Sequence, residues 1–207
     1  MGTHLPVLLQ SEQQDQYMSD FHNDIENCLD VLQRGGIILY PTDTIWGIGC
    51  DGTNPDAVKK IFGLKKRSGA RGMIILLADV SDLGRYTSET NPGIYHFLKG
   101  CTIPITVIYP GGKDLAANIK HADGTVAIRI VDEPFCQALI KGFHKPIVST
   151  SANISGEPTP GYYEQISKPI IKGVDYIVRY RQGDKNPGKP SSIVKCNTDG
   201  TVTLVRT

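Results

Sequence analysis

Apolar residues recur at helical spacing from Tyr17 to Arg34 (Tyr17, Phe21, Ile25, Leu29, Leu32). This predicts a helix, and Gly35-Gly36 ends it with residues that carry no Cβ to obstruct the turn. The run Ile37-Ile38-Leu39-Tyr40 is too short for a helix and is bounded by Gly and Pro, so it reads as a buried strand. Asn54-Pro55 is an N-cap followed by proline at the first helical position, opening a helix through Ala57, Val58, Ile61 and Phe62. Met73 to Leu77 is again a bare apolar strand. The pattern continues with a helix near Asn91 to Lys99, strands at Ile105 to Tyr109 and Val126 to Ile130, and a helix from Glu133 to Lys141. A strand at Pro146 to Val148 and a helix at Tyr162 to Ile171 precede three final strands at Tyr176 to Val178, Ser192 to Val194 and Val202 to Val205.

Strands without clean alternation, separated by helices, imply a sheet covered on both faces, hence an α/β domain. The 207 residues suit one domain. Hydrophobic residues at 40% and charged residues at 21% exclude a disordered chain, and no apolar run reaches the ~18 residues of a spanning helix. Met1 to Asp20 is polar and carries Glu12, Asp15 and Asp20 where an export signal would be basic and then apolar, so a cytoplasmic protein without a membrane partner is expected. The five cysteines are scattered, with no CxxC, and read as reduced thiols.

The net charge of +1 leaves room for a local basic patch, and Lys59, Lys60, Lys65, Lys66, Arg67 and Arg71 form one with no acidic residue inside it. A solvated helix face is the ordinary explanation. Lys65 and Arg67, however, flank a single residue where the helix gives way to Ser68-Gly69, so both can project from a turn toward one point, as a polyphosphate site requires. Ser149-Thr150-Ser151-Ala152-Asn153 follows a strand, either as a local Ser/Asn turn or as a row of hydroxyl and amide groups where α/β folds bind ligands. Tyr40-Pro41-Thr42-Asp43-Thr44 offers two hydroxyls and a carboxylate at another strand end. Arg129, alone in an apolar strand, needs an anion there, whether a ligand or a structural partner. There is no GxxxxGK[ST] or GxSxG, and the five histidines have no metal-ligand spacing.

In chain order these segments resemble the threonylcarbamoyl-AMP synthase family, the YrdC-like domain that opens biosynthesis of N6-threonylcarbamoyladenosine in tRNA. The resemblance rests on Tyr40-Pro-Thr-Asp-Thr-Ile-Trp-Gly-Ile-Gly49, Lys65-x-Arg67, Val126-Ala-Ile-Arg129, Ser149-Thr-Ser-Ala-Asn-Ile-Ser-Gly156, Pro190-Ser-Ser-Ile-Val194 and Leu204-Val-Arg206. It implies a single YrdC-like domain over residues 1–207, without the extra C-terminal domain of longer members. The implied fold is a twisted mixed sheet flanked by helices around a large concave cavity. The implied reaction joins L-threonine, bicarbonate and ATP, with Mg²⁺ carried by the ATP phosphates, into threonylcarbamoyl-AMP and pyrophosphate. Lys65 and Arg67 would be catalytic. Lys65, Arg67, Arg71, Thr125, Ser151, Asn153, Thr159 and Arg206 would surround ATP, and Thr44, Arg129, Ser149 and Ser191 would surround threonine. Downstream threonylcarbamoyl transferase machinery, and contact with RNA, are the implied partners.

Three positions depart from the family pattern: Trp46 stands for a usual Tyr, Cys101-Thr-Ile-Pro-Ile-Thr106 for Pro-Gly-Pro-Leu-Thr, and Arg67-Ser-Gly-Ala-Arg71 for Arg-Pro-x-x-Lys. The chemistry itself asks for neutralised anions rather than a dedicated histidine, because a carbamate must approach the α-phosphorus of a triphosphate. A non-catalytic RNA-binding protein using the 59–71 patch, and a paralogue that has lost the activity, are the alternatives.

Overall fold

The computed structural model describes residues 21–67, 73–89, 92–197 and 201–207. The first turn of the first helix, Ser68-Gly69, Arg71 and Asn91 lie outside them. The helix α1 occupies residues 21–33 of the described part. It is followed by β1 (Ile38–Tyr40), β2 (Gly47–Asp51), α2 (Pro55–Leu64), β3 (Ile74–Leu77), α3 (Leu83–Tyr86), α4 (Pro92–Gly100), β4 (Ile105–Tyr109) and β5 (Val126–Ile130). Then come α5 (Pro134–Phe143), β6 (Ile147–Ser151), α6 (Lys168–Gly173), β7 (Tyr176–Ile177), β8 (Ser192–Cys196) and β9 (Val202–Arg206).

Local chemistry sets most of these boundaries. The Asn54 side chain accepts hydrogen bonds from the Asp56 and Ala57 amides at 3.0 and 3.1 Å, with Pro55 in the first turn of α2. Glu133 does the same for α5 by accepting from Cys136 N at 2.8 Å, and His144, left-handed at φ 57°, closes that helix. The helix expected over 162–171 is broken instead, into a 3-10 turn at Tyr163–Gln165 and α6, because Pro169 lacks an amide hydrogen and serves only in a first turn. The strand expected to stop at Val148 runs on to Ser151, so Ser149 and Thr150 are ladder residues.

The sequence pattern gives no hint of β2, whose Gly-Ile-Gly-Cys-Asp has no apolar run. It is nevertheless central, antiparallel to both β1 and β6. A Cβ at Gly49 would sit 2.6 Å from the Tyr40 ring and 2.8 Å from Val148 O, so glycine is what lets the neighbouring strands close.

The strand order is β7-β1-β2-β6-β3-β5-β4-β8-β9, a mixed sheet in which β1/β7, β3/β5 and β4/β8 are parallel. One face carries Leu39, Ile48, Ile75, Val107, Ile128, Val148 and Val194 and packs on Ala57, Val58 and Ile61 of α2, Ile94 of α4 and Ile170 of α6. The other face buries Ile38, Tyr40, Leu76 and Ile147 under Phe21, Ile25 and Leu32 of α1 and Phe135, Leu139 and Phe143 of α5. The described helices on this second face cover only the β1, β3 and β6 part of the sheet. Where β5, β4, β8 and β9 continue it, the same face is concave and open.

Candidate active site

The open half of the second face floors a cavity of about 560 Å³. Its lining follows from strand alternation, since Gly47, Ile74, Ile108, Ala127, Arg129, Ser149, Ser151 and Ile193 all sit out of phase with the residues buried on the first face. Thr44, Arg67, Thr159, Ser191 and Arg206 join them from turns and from the edge strand. Sites separated by up to 162 residues in the chain therefore share one wall. Of the residues singled out above, Lys65, Thr125 and Asn153 lie behind this lining, and Arg71 is outside the described residues.

Arg129 is 3% exposed. Its Nη1 donates to Thr44 Oγ1 at 2.9 Å and its Nη2 lies 3.1 Å from Asp43 Oδ1. Its Nε has no hydrogen-bond partner among the described residues. The structural partner expected for Arg129 is Asp43, and the same guanidinium lines the cavity. Burial raises the Asp43 carboxyl above its ordinary pKa against the pull of Arg129. Thr42 Oγ1 donates to Ile45 O at 2.8 Å, which leaves the Thr44 hydroxyl to donate to Thr42 Oγ1 at 2.9 Å while accepting from Arg129. Ser191 Oγ lies 2.7 Å from Thr106 Oγ1, which is fully buried, and Ser191 O accepts from Arg206 Nη2 at 3.2 Å.

Of Lys65 and Arg67, which the sequence suggests project toward one point, Arg67 alone lines the cavity. Lys66, at φ 50°, turns the chain between them. Arg67 reaches the cavity wall, whereas Lys65 is 1% exposed and its Nζ donates to Ser151 O, to Asn153 O at 2.6 Å and to Asn153 Oδ1 at 3.4 Å. Ser155 N donates back to Lys65 O at 3.0 Å, and Asn153 Nδ2 donates to Glu157 O at 2.6 Å. Lys65 is therefore the internal cation of the 151–157 loop. Its burial and, second, the Arg67 charge lower its pKa to about 8. Lys60 Nζ is taken by Gly35 O at 2.7 Å. Although the run has no acidic residue inside it, these two of its cations have local partners: carbonyl oxygens, which the charge count does not see, serve as acceptors.

Sequence reasoning overlooked three contributors. His121 lines the cavity and holds Thr125, its Nδ1 3.0 Å from Thr125 Oγ1. Arg181 Nη1 donates to Thr42 O at 3.1 Å, and Gly188 N donates to Gly161 O at 3.0 Å, so the 181–190 loop is a strap across the Thr42–Ile45 segment. Trp46, at the position of the usual Tyr, packs against Tyr163 with centroids 5.0 Å apart and does not face the cavity. The strap's fit can be tested, because a Cβ on Gly188 would overlap the Thr44 carbonyl whereas one on Gly183 would meet nothing. Gly188→Ala is expected to cost about 2 kcal/mol in denaturant unfolding, in the range of overpacking, and Gly183→Ala close to nothing. Equal stabilities would mean that the strap does not bear on Thr44.

A second cavity of about 500 Å³ lies on the far side of Asp43, lined by the Cys101–Ile105 segment with Asp79 and Asp132. Among the described residues no group of three His, Cys, Asp or Glu side chains could hold a metal, and no helix is long and apolar enough to cross a membrane.

The Sua5/YciO/YrdC family, described as "Telomere recombination", matches residues 30–207. A protein named threonylcarbamoyl-AMP synthase from Vibrio parahaemolyticus is 31% identical over 182 residues, covering 85% of this chain and 96% of the relative. One of the same name from Photobacterium profundum is 34% identical over 172 residues, covering 80% and 91%. The crystal structure of Escherichia coli YciO superposes with a TM-score of 0.76 at 25% identity, covering 89% of this chain and 88% of that one. That of P. abyssi Sua5 complexed with L-threonine has the same fold, with a TM-score of 0.76 at 24% identity, and this chain spans about half of it, 53%. With a family match over residues 30–207 and relatives 31% and 34% identical over most of both chains, the chain belongs to the Sua5/YciO/YrdC family.

Proposed function

We propose that this protein is a threonylcarbamoyl-AMP synthase, which joins L-threonine, bicarbonate and ATP and releases pyrophosphate. The observation that carries the reading is a single cavity lined by Thr44, Arg67, Arg129, Ser149, Ser151, Thr159, Ser191 and Arg206, with no carboxylate in the described lining. Such a wall favours anions. The names of the relatives give the reaction.

In this reading the Arg129 guanidinium, held flat by Thr44 and Asp43, takes the threonine carboxylate, with Ser149 and Ser191 beside it. The threonine nitrogen, having given up its ammonium proton, forms a C–N bond to the carbon of bicarbonate as the C–OH bond there breaks, and the proton the nitrogen then loses leaves with that hydroxyl as water. The resulting carbamate oxygen then attacks the α-phosphorus, and the bond to the β-phosphate oxygen breaks. Arg67 and Arg206 offset the charge that accumulates as two anions meet. Lys65 keeps the Ser151 to Asn153 loop in place with its charge close behind. Mg²⁺ would neutralise the leaving pyrophosphate; a wall of cations and hydroxyls suits a metal brought by the phosphates themselves. Release to downstream transferase machinery acting on tRNA, in the cytoplasm, completes the proposal.

The RNA-surface alternative is disfavoured by the division of the 59–71 run, in which Lys60 and Lys65 bond to the protein's own carbonyls. Pyrophosphate release that requires threonine, bicarbonate and ATP together is the expected result. Arg67→Ala should slow it about a hundredfold with an unchanged melting temperature, as for a donor to a developing transition-state charge. No release by the parent protein would overturn the reading, and a variant within a few-fold of the parent would remove Arg67 from the chemistry.

A further inference from the structure

The cavity has a direction, and β5 measures it. Thr125, Ala127 and Arg129 alternate onto one face, so at about 3.3 Å per residue Thr125 lies roughly 13 Å from Arg129. Between them the register aligns Ile108 directly with Ala127 and, by extension of the β3/β5 pairing, Ile74 on its other side. All three line the cavity. This is a flat apolar floor three strands wide. It starts one step from the guanidinium and ends at the turn that carries His121.

That turn is closed by its own hydrogen bonds, and they assign its protons. His121 N donates to Thr125 O at 2.9 Å and Gly124 N donates to His121 O at 2.9 Å. The Thr125 hydroxyl has one proton, and it goes to Asp123 Oδ1 at 2.7 Å. The contact of 3.0 Å between His121 Nδ1 and Thr125 Oγ1 therefore needs its hydrogen from the imidazole. The neutral ring is fixed as the Nδ1–H tautomer, and Nε2 is left as a bare acceptor on a residue that lines the cavity.

We propose that His121 reads the nucleobase, with Nε2 accepting a hydrogen bond from the 6-amino group of a purine lying on the Ile74–Ala127–Ile108 floor. The cavity then selects 6-aminopurine nucleotides over 6-oxopurine ones, because a 6-oxo group would set one lone pair against another. This rests on the placement of ATP in the cavity under the synthase reading. It adds the residue that chooses the base.

The test is equilibrium binding of Mg²⁺-ATP and Mg²⁺-ITP, two nucleotides that differ at the 6-position, without recourse to turnover. The parent should favour ATP. His121→Phe, which keeps a ring of similar size, should lower the ATP preference about five- to tenfold, the worth of one neutral hydrogen bond, mostly through weaker ATP binding. Thr125→Val removes the oxygen that fixes the tautomer and should narrow the preference by improving ITP. Circular dichroism of both variants confirms that they fold. A parent that binds the two nucleotides equally, or a preference unchanged in His121→Phe, overturns the proposal. Base preference that collapses in His121→Phe while the parent releases no pyrophosphate would support His121 and sink the synthase reading. Turnover with an unaltered base preference would do the reverse.

Discussion

Arg129→Ala is expected to lower the unfolding free energy at pH 7 by about 3–5 kcal/mol, the loss typical of breaking one side of a buried ion pair. The reason is the partner left behind. Asp43 is 13% exposed in its side chain and its Oδ1 has no aligned donor apart from the ion pair with Arg129. With the guanidinium gone, a carboxylate stays in a poorly solvated position without the main charge that offsets it. Two observations separate this cause from simple loss of packing. Adding Asp43→Asn to the variant should recover most of the stability. The deficit should also shrink on acidification, with a definite sign: burial already holds the folded-state pKa of Asp43 above the unfolded one, and removing Arg129, the main opposing influence, raises it further. The folded variant then binds a proton more tightly than the unfolded chain, so stability returns as the pH falls through that raised pKa. Arg129→Lys keeps the charge but not the fork, and under the proposed function it should raise the KM for threonine more than that for ATP. Unchanged stability in Arg129→Ala would show that the pair has no structural weight.

Lys65→Met is expected to cost about 3 kcal/mol of stability and about a hundredfold in pyrophosphate release. Methionine fills most of the volume but donates nothing to Ser151 O, Asn153 O or Asn153 Oδ1, three acceptors that are pinned around the ammonium. The 151–157 loop should therefore lose protection in hydrogen exchange, while the strands beneath keep it. The pH dependence carries a second signature. Burial has lowered the Lys65 pKa from 10.5 to about 8, so above about pH 8 the unfolded chain holds a proton there that the folded one does not. This group's contribution makes stability rise from about pH 8 to about 10.5, and the rise should be missing from Lys65→Met. Full activity with an unprotected loop, or no change in either, would reduce Lys65 to a bystander.

The contrast between these two residues shows what a sequence discloses. Arg129 announces itself, because a guanidinium inside Val-Ala-Ile-Arg-Ile must meet an anion whatever the fold. Lys65 does not, since its acceptors are main-chain oxygens 86 and 88 residues away, and no sequence pattern marks a carbonyl as available. His121 is hidden for a different reason: its role depends on a turn that returns Thr125 to it and on an uncovered floor beyond. β2 was illegible because packing against Tyr40 and Val148 demanded the glycine that erased its apolar signature.

By itself the sequence determined the α/β class, most strand positions, the Asn54-Pro55 start of α2 and most of the segments that line the cavity. Those features depend on periodicity, on proline and glycine geometry and on side-chain caps, all of which act within a few residues. Tertiary structure decided the rest. Which face of β5 lies open depends on how far α1 and α5 reach across the sheet. Which cation faces the cavity and which supports the loop behind it depends on how the turn at Lys66 meets β6. Both are settled by contacts between elements distant in the chain, where burial and acceptor geometry, rather than local preference, fix the energy.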